Sequence, residues 1–192
     1  MPKNSVKTIR KINTDDIDIR YSHIIKVLTD WIDTTNLIVT AGRGMAKSTV
    51  IQARRVADCV YDMPGAPLAF AGNTYTNLTD NIMPAVKKGW ELMGLYDGVH
   101  YISNKRPPES WRKRCSIIVD EYKNTISFWN GTIIFLGSLD HPSLLAGKSV
   151  VHLFFDEAKY DQDKKVNRAM PILRGDAIRY GHSHYFLGVT IT

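Results

Sequence analysis

Leu37-Ile-Val-Thr-Ala-Gly-Arg-Gly-Met-Ala-Lys-Ser-Thr49 is the most informative segment of this 192-residue chain. Its first four residues, Leu37–Thr40, are apolar or β-branched, which predicts a short buried strand. A loop with two glycines follows, and from Ser48 to Tyr61 apolar residues recur at helical spacing. A strand that leads through a tight loop into a helix turns backbone N–H groups and a helix N-terminus towards an anion. The segment therefore predicts a phosphate-binding loop.

The side chains of this loop suit a nucleotide with Mg²⁺. Lys47 supplies a positive charge for phosphate oxygens, and Ser48 supplies a hydroxyl ligand for the metal. The usual pattern, GxxxxGK[ST], has glycine where this chain has Ala41 and Ala46, and alanine replaces glycine cheaply only where the backbone is not left-handed. A lysine-containing loop that binds no nucleotide is therefore the alternative interpretation. The candidate nucleotide-binding residues are Ala41, Gly42, Arg43, Gly44, Met45, Ala46, Lys47, Ser48 and Thr49.

A second apolar run, Val150–Phe155, ends in the carboxylates of Asp156 and Glu157. Ligands of an open parallel sheet bind beyond the carboxyl ends of its strands, where the phosphate loop is also expected. Asp156 is then the candidate Mg²⁺ ligand, and Glu157 is the candidate residue that orients or deprotonates the attacking water. Two acidic residues at the start of a helix are a common alternative.

Polar residues also end the last apolar run, Tyr185–Ile191. Thr190 and Thr192 are candidates for sensing the γ-phosphate from a neighbouring strand. Threonine is also simply a good strand former, which is the competing interpretation.

The remaining segments predict an α/β fold with a mostly parallel central sheet flanked by helices. Pro67–Ala71 reads as a strand and Thr76–Met93 as a helix that Pro84 kinks or breaks. Asn130-Gly131 predicts a type I′ turn, with positive φ at both residues, and hence an added antiparallel hairpin. The predicted strands of this region are Ser116–Val119, Thr125–Trp129 and Thr132–Leu136.

Composition limits the class of protein. Apolar residues make up 44% of the chain and charged residues 23%, which suits one well-packed domain over residues 36–192 after a lead-in and helix over residues 1–35. The two cysteines are too few for a disulfide framework, so a reduced intracellular compartment is expected. The net charge of +6 favours a polyanionic partner. No apolar run is long enough to span a bilayer.

Three segments resemble the large terminase subunit of tailed bacteriophages, the motor that packages DNA. Ala41–Ser48, with Arg43 inside the loop, resembles the terminase Walker A motif. Asn73–Lys88 is similar to the helix region after the second strand of that family. Gly131–Gly147, which leads into the Asp-Glu strand, is similar to the family's hairpin and the Gly-x-x-Asp-x-Pro-x-x-Leu-x-Gly pattern before Walker B. The resemblance covers roughly residues 35–192.

The resemblance implies a P-loop NTPase of the Asp-Glu Walker B (ASCE) type that hydrolyses ATP with Mg²⁺ and moves double-stranded DNA into a procapsid. Lys47 would neutralise the β- and γ-phosphates, Ser48 and Asp156 would hold Mg²⁺, and Glu157 would activate water. Arg43 would contact the γ-phosphate in its own subunit or report its loss. Thr190 or Thr192 would belong to the coupling motif.

The same resemblance implies partners and a location. They are double-stranded DNA, a portal protein, a small terminase subunit and further copies in a ring, in the host cytoplasm and docked transiently on the procapsid. A nuclease domain is expected in the full-length protein but not within this chain, so we expect no nuclease activity from it. Candidates for the arginine that reaches a neighbouring subunit's site are Arg174, Arg179 and the Arg112–Arg114 group.

The basic segment Lys105–Arg114 is a candidate DNA contact, because phosphate contacts need only cations within reach. A solvated charged loop is the simpler interpretation. Its candidate residues are Lys105, Arg106, Arg112, Lys113 and Arg114. Two other functions remain open at this point: a different nucleic-acid translocase of helicase type, and a DNA-binding module with a disabled nucleotide site.

Overall fold

The computed structural model describes residues 27, 28, 31, 32, 34–42, 44–140, 145–156 and 163–192, with only the backbone for residues 163–165. The strands are β1 (Leu37–Ile38), β2 (Pro67–Gly72), β3 (Tyr101–Ser103), β4 (Thr125–Phe128), β5 (Ile133–Ser138), β6 (His152–Phe155) and β7 (Gly188–Ile191). Helix α1 has a π-helical first segment (Lys47–Gln52) and an α-helical continuation (Ala53–Asp62). Helix α2 has three consecutive segments (Tyr75–Asn77, Leu78–Ile82, Met83–Leu92), of which the second is π-helical. Helices α3 (Asp163–Ala169) and α4 (Ala177–Tyr180) are short, and a 3₁₀ turn (Met170–Ile172) follows α3.

The seven strands form one mixed sheet in the order β1-β7-β6-β2-β5-β4-β3. The first five in this order are parallel to one another, and β4 and β3 add antiparallel pairs at the far side. Parallel strands joined by helices point their carboxyl ends to one rim. The predicted fold class, a mostly parallel sheet flanked by helices with an antiparallel addition, is confirmed.

The core lies on both faces of the sheet, because successive strand residues point to opposite faces. In β2, Leu68 and Phe70 join the cluster under α1 and α2, whereas Ala69 and Ala71 join the cluster on the other face. Helix α2 packs closely on α1: the Trp90 indole N–H donates to the Ala53 carbonyl at 3.1 Å. This packing holds the beginning of α1 against the sheet. None of the helices in the described part of the chain is long and apolar enough to cross a membrane.

The hairpin between β4 and β5 forms where it was predicted, but its turn is of a different type. Only Gly131 has positive φ (88°), so the type I′ prediction for Asn130-Gly131 is wrong. The Asn130 amide instead donates to the Val60 carbonyl at 2.6 Å, which ties the hairpin to the end of α1. A single left-handed glycine after the turn gives the longer, bulged hairpin loop.

Two other sequence predictions need correction. Residues Ser116–Val119 do not form a strand, and Ile118 is 89% exposed. Beside β4, on the side away from β5, the sheet has β3, a strand of three residues that is too short for periodicity to predict. Pro84 does not break α2, because it lies in the first turn of the segment Met83–Leu92, directly after the π-helical segment. Most of the lead-in and helix predicted over residues 1–35 lies outside the described residues.

Candidate nucleotide-binding site

The carboxyl ends of β6 and β7 and the loop after β1 meet at one rim of the sheet. Residues Leu37 and Ile38 pair with Thr190 and Ile191, and β7 pairs in turn with β6. The strand order therefore brings the start of α1 to the residue that follows β6, Asp156. This juxtaposition was predicted from the two motifs and is observed.

Asp156 is held between hydroxyl groups from two other elements. It is buried, with 2% of its surface exposed. The Ser48 hydroxyl, in the first turn of α1, donates to Oδ2 of Asp156, and the Thr192 hydroxyl, just after β7, donates to Oδ1 at 2.9 Å. Both oxygens of this buried side chain thus accept a hydrogen bond, as buried polar groups require.

Lys47 and the helix N-terminus lie beside this cluster. The Lys47 ammonium group donates to the carbonyl of Ala41 at 3.0 Å, so the side chain folds back over the loop. No side chain caps the start of α1 among the described residues. The first-turn N–H groups and the positive end of the helix dipole are therefore available to an anion beside a lysine.

Ala46 has φ 52° and ψ 36°, which is the left-handed conformation. Alanine replaces glycine at low cost only where the backbone is not left-handed, so the replacement is costly at this position. A β-carbon crowds the following carbonyl in this conformation, at a cost of roughly 1–2 kcal/mol. At Ala41, φ is not positive, so the substitution carries no such strain.

Gln52 belongs to the cluster although the sequence analysis did not identify it. Its side chain is fully buried, and its Nε2 donates to the Phe155 carbonyl at 2.8 Å and to the Thr192 hydroxyl at 3.0 Å. Gln52 follows Ser48 by four residues, one helical turn, so both face the ends of β6 and β7. The sequence did contain a signal for Gln52, because it is a polar residue on the side of an amphipathic helix that is otherwise apolar and buried.

Of the two threonine candidates, only Thr192 lies in this cluster. Thr190 lies two residues earlier, within β7, and is buried inside the sheet. Its hydroxyl contacts Nε2 of His152 at 2.9 Å. Nδ1 of His152 contacts the Tyr185 carbonyl at 2.7 Å, so this nitrogen carries the proton. Burial lowers the pKa of His152 to about 3, which keeps the ring neutral.

The donor set of the cluster fits Mg²⁺. This ion takes oxygen ligands, and a serine hydroxyl with one or two carboxylates is a usual protein contribution to a magnesium–phosphate site. Among the described residues, no group of three or more His, Cys, Asp or Glu side chains forms a separate metal-binding cluster.

Other predicted site residues lie elsewhere or outside the described part. Arg43 and Glu157 are outside it. Arg174 is exposed, and its N–H donates to the carbonyl of Val150, before β6, so it lies at the opposite rim from Asp156. Arg179, in α4, is also exposed.

The basic segment Lys105–Arg114 has all five of its cationic residues exposed. It begins just after β3, and its far end packs at the β4–β5 turn, where a β-carbon on Gly131 would meet the Arg114 carbonyl oxygen at 2.7 Å. There Trp111, Arg112 and Lys113 line an open groove of about 620 Å³ with His100 and Trp129. The segment is thus separate from the Ser48–Asp156 cluster.

The strand order and the strand–loop–helix connection at this rim are those of the P-loop fold, and solved structures that resemble the chain include large terminases. One is the large terminase of a thermophilic bacteriophage in complex with ADP (TM-score 0.57, 19% identity), for which the match covers 87% of this chain and 36% of that one. Another is the large terminase ATPase domain of Thermus phage P74-26 (TM-score 0.54, 14% identity), with 90% of this chain and 64% of that one covered. The resemblance inferred from the sequence is confirmed at the level of the fold.

This chain spans about a third of the first of these terminases and less than two thirds of the second. No protein-family model matches the sequence, and no curated protein matches it.

Proposed function

We propose that this chain is the ATPase domain of a viral DNA-packaging terminase, which binds ATP with Mg²⁺ and hydrolyses it. The observation that carries the proposal is the hydrogen bond from Ser48 to Asp156, residues 108 positions apart in the chain. It joins the start of an uncapped helix to a buried carboxylate at the end of a neighbouring strand. A triphosphate and its metal need these two groups together.

In this proposal each residue has a separate role. Lys47 and the first-turn N–H groups of α1 bind the β- and γ-phosphates, and Arg43 contacts the γ-phosphate. Ser48 and Asp156 hold Mg²⁺, which supplies neutralising charge at the phosphate oxygens. Glu157 orients the attacking water and accepts its proton, and Thr192 links β7 to the metal ligand.

The packaging role rests on the likeness to terminase folds. The substrate to be moved is double-stranded DNA, and the partners are a portal protein, a small terminase subunit and further copies of the chain in a ring. Exposed cations of the segment Lys105–Arg114 would contact DNA phosphates. Arg112 and Arg114, with Arg174 and Arg179, remain candidates for reaching a neighbouring subunit.

One observation favours the alternative of a disabled nucleotide site, namely the left-handed Ala46. Against it stands the intact set of Lys47, Ser48 and Asp156 around the uncapped helix start. Nucleotide binding separates the two hypotheses, because a disabled module would bind DNA but not ATP.

The decisive experiment is calorimetric titration of the protein with Mg²⁺–ATP, comparing the parent with Lys47→Ala. Charged hydrogen bonds contribute about 1.5–3 kcal/mol each, so we expect an affinity loss of roughly ten-fold or more. Lys88→Ala removes the same charge from an exposed site on α2 and should bind like the parent. Equal affinity in all three proteins would contradict the phosphate role of Lys47.

A second test separates binding from turnover. Glu157→Ala should bind Mg²⁺–ATP like the parent but hydrolyse it more slowly, since a general base contributes about 10²–10⁴-fold to rate. Steady-state phosphate release measures the rate, and a parental rate in the variant would show that Glu157 has another role.

A further inference from the structure

The Gln52 amide connects three chain segments at the candidate site. It lies in the first turns of α1 and donates to the Phe155 carbonyl, at the end of β6, and to the Thr192 hydroxyl, after β7. We propose that Gln52 is a positioning residue that orients the Thr192 hydroxyl towards Asp156 and so presets the metal-binding carboxylate. The inference rests on the proposed function, because it concerns the same Mg²⁺–nucleotide site.

The orientation of the amide follows from its partners. A backbone carbonyl only accepts hydrogen bonds, so the atom facing Phe155 must be the NH₂ group of Gln52. The same NH₂ group donates to Thr192 Oγ1 at 3.0 Å. A hydroxyl has one proton, and with the amide donating to its oxygen, that proton points to Asp156 Oδ1, 2.9 Å away.

The result is a directed chain of hydrogen bonds from Gln52 through Thr192 to Asp156. Ser48 holds the other carboxylate oxygen, from one helical turn before Gln52. The Asp156 side chain is therefore held at both oxygens, directly by Ser48 of α1 and, through the Thr192 hydroxyl, by Gln52 of the same helix. Without the amide, the Thr192 hydroxyl can rotate away from Asp156, and the carboxylate loses one of these restraints.

Packing alone does not explain why this buried position is occupied by a glutamine. Gln52 is fully buried, and its Oε1 has no hydrogen-bond partner among the described residues. A buried acceptor without a partner is unfavourable, and an apolar side chain of similar volume would avoid it. The two donor contacts are what the glutamine provides and a methionine would not.

A double-mutant cycle with Gln52→Met and Thr192→Val tests the proposal. Titrations with ADP, with and without Mg²⁺, measure how strongly the metal enhances nucleotide binding in the parent, both single variants and the double variant. We expect unchanged affinity for ADP alone, and an enhancement by Mg²⁺ that is reduced about ten-fold in each single variant. The double variant should lose no more than Thr192→Val, because Gln52 acts through Thr192.

The control is Arg54→Met, on the exposed side of the same helix, which should keep the parental enhancement. Parental enhancement in Gln52→Met, or losses that multiply in the double variant, would overturn the proposal. So would a lowered affinity of Gln52→Met for ADP alone, since that indicates general damage to the loop.

Thermal unfolding of the same four proteins without nucleotide gives an independent result. The shifts in melting temperature should be non-additive if Gln52 and Thr192 share a hydrogen bond, and additive shifts would overturn the proposal even if a variant bound poorly. Absence of any Mg²⁺-dependent ADP binding in the parent would instead count against the proposed function, while the unfolding cycle still decides whether Gln52 holds Thr192.

Discussion

Ala46 places a side chain where the backbone is left-handed, directly before the first turn of α1. The consensus motif has glycine at this position because glycine adopts that conformation without steric cost. The identity of the residue was visible in the sequence, but its φ was not, since backbone dihedrals in a loop depend on how its two ends are held. The structure therefore shows that the departure from the consensus motif at Ala46 strains the backbone of this residue.

The Ala46→Gly substitution should increase nucleotide affinity. Glycine relieves roughly 1 kcal/mol of left-handed strain. Glycine also gives the unfolded chain more entropy, which offsets part of this gain, so the free energy of unfolding should change by less than about 1 kcal/mol. Relief of this strain lowers the cost of the loop conformation that binds phosphate, so Mg²⁺–ATP should bind about two- to five-fold more tightly, a gain within that energy. Calorimetric titration and urea unfolding measure the two effects.

Ala85→Gly provides the matched control, because Ala85 lies within the right-handed segment Met83–Leu92 of α2. Glycine there should destabilise the protein by about 1 kcal/mol and leave affinity unchanged. The strain argument fails if Ala46→Gly destabilises the protein as much as this control does.

At the scale of elements, the contact between α1 and α2 supports the candidate nucleotide site. Gly89 in α2 lies against the backbone of Thr49, where a β-carbon would overlap the Thr49 carbonyl oxygen and lie 2.5 Å from Ala53 Cβ. The helix that carries Lys47 and Ser48 is thus held by a close approach that only glycine permits.

Gly89→Ala should push α2 away from α1. Overpacking of this kind costs about 1–3 kcal/mol, and the displaced first turn of α1 should also weaken Mg²⁺–ATP binding. Urea unfolding gives the stability change and titration gives the affinity. Lys88→Ala, the exposed neighbour, should remain within about 0.5 kcal/mol of the parent. Equal stability of the two variants would show that the helices adjust without cost.

Element prediction succeeded where the signal was local. The strand before the phosphate loop, α1, β2 and the β4–β5 hairpin each follow from periodicity and turn residues within a few positions. The strand predicted at Ser116–Val119 failed because a short apolar run forms a strand only when a sheet edge is available to pair with it. In the folded protein, β3 occupies the position beside β4 at this edge of the sheet.

At the scale of the whole molecule, His152 links stability to pH. It is buried inside the sheet with its pKa lowered to about 3 by burial and, to a smaller degree, by the nearby charge of Arg55. In the unfolded chain the histidine pKa is about 6.5. Below that pH the unfolded state binds a proton that the folded state does not, so stability falls as the pH decreases from about 6.5 towards 3.

The expected contribution of His152 is a loss of about 2 kcal/mol between pH 7.5 and pH 5, at 1.36 kcal/mol per pH unit below the unfolded pKa. Urea unfolding at both pH values measures the total change, to which other groups also contribute. His152→Gln should show a smaller change by about this amount, and the difference between the two proteins isolates the histidine. Identical pH dependence in both would contradict a neutral, buried His152.

The sequence by itself determined the α/β class, the candidate phosphate loop, the acidic strand end and the resemblance to terminases, because each depends on spacing within individual segments. Only the tertiary structure decided that Thr192, and not Thr190, reaches Asp156, that Gln52 joins them, and that Ala46 is left-handed. The first two features depend on the order and register of β6 and β7, because the residues that meet there lie more than a hundred positions from their partners in α1. Hydrogen bonds between such distant segments are set by how the strands pair, and no local pattern records that pairing.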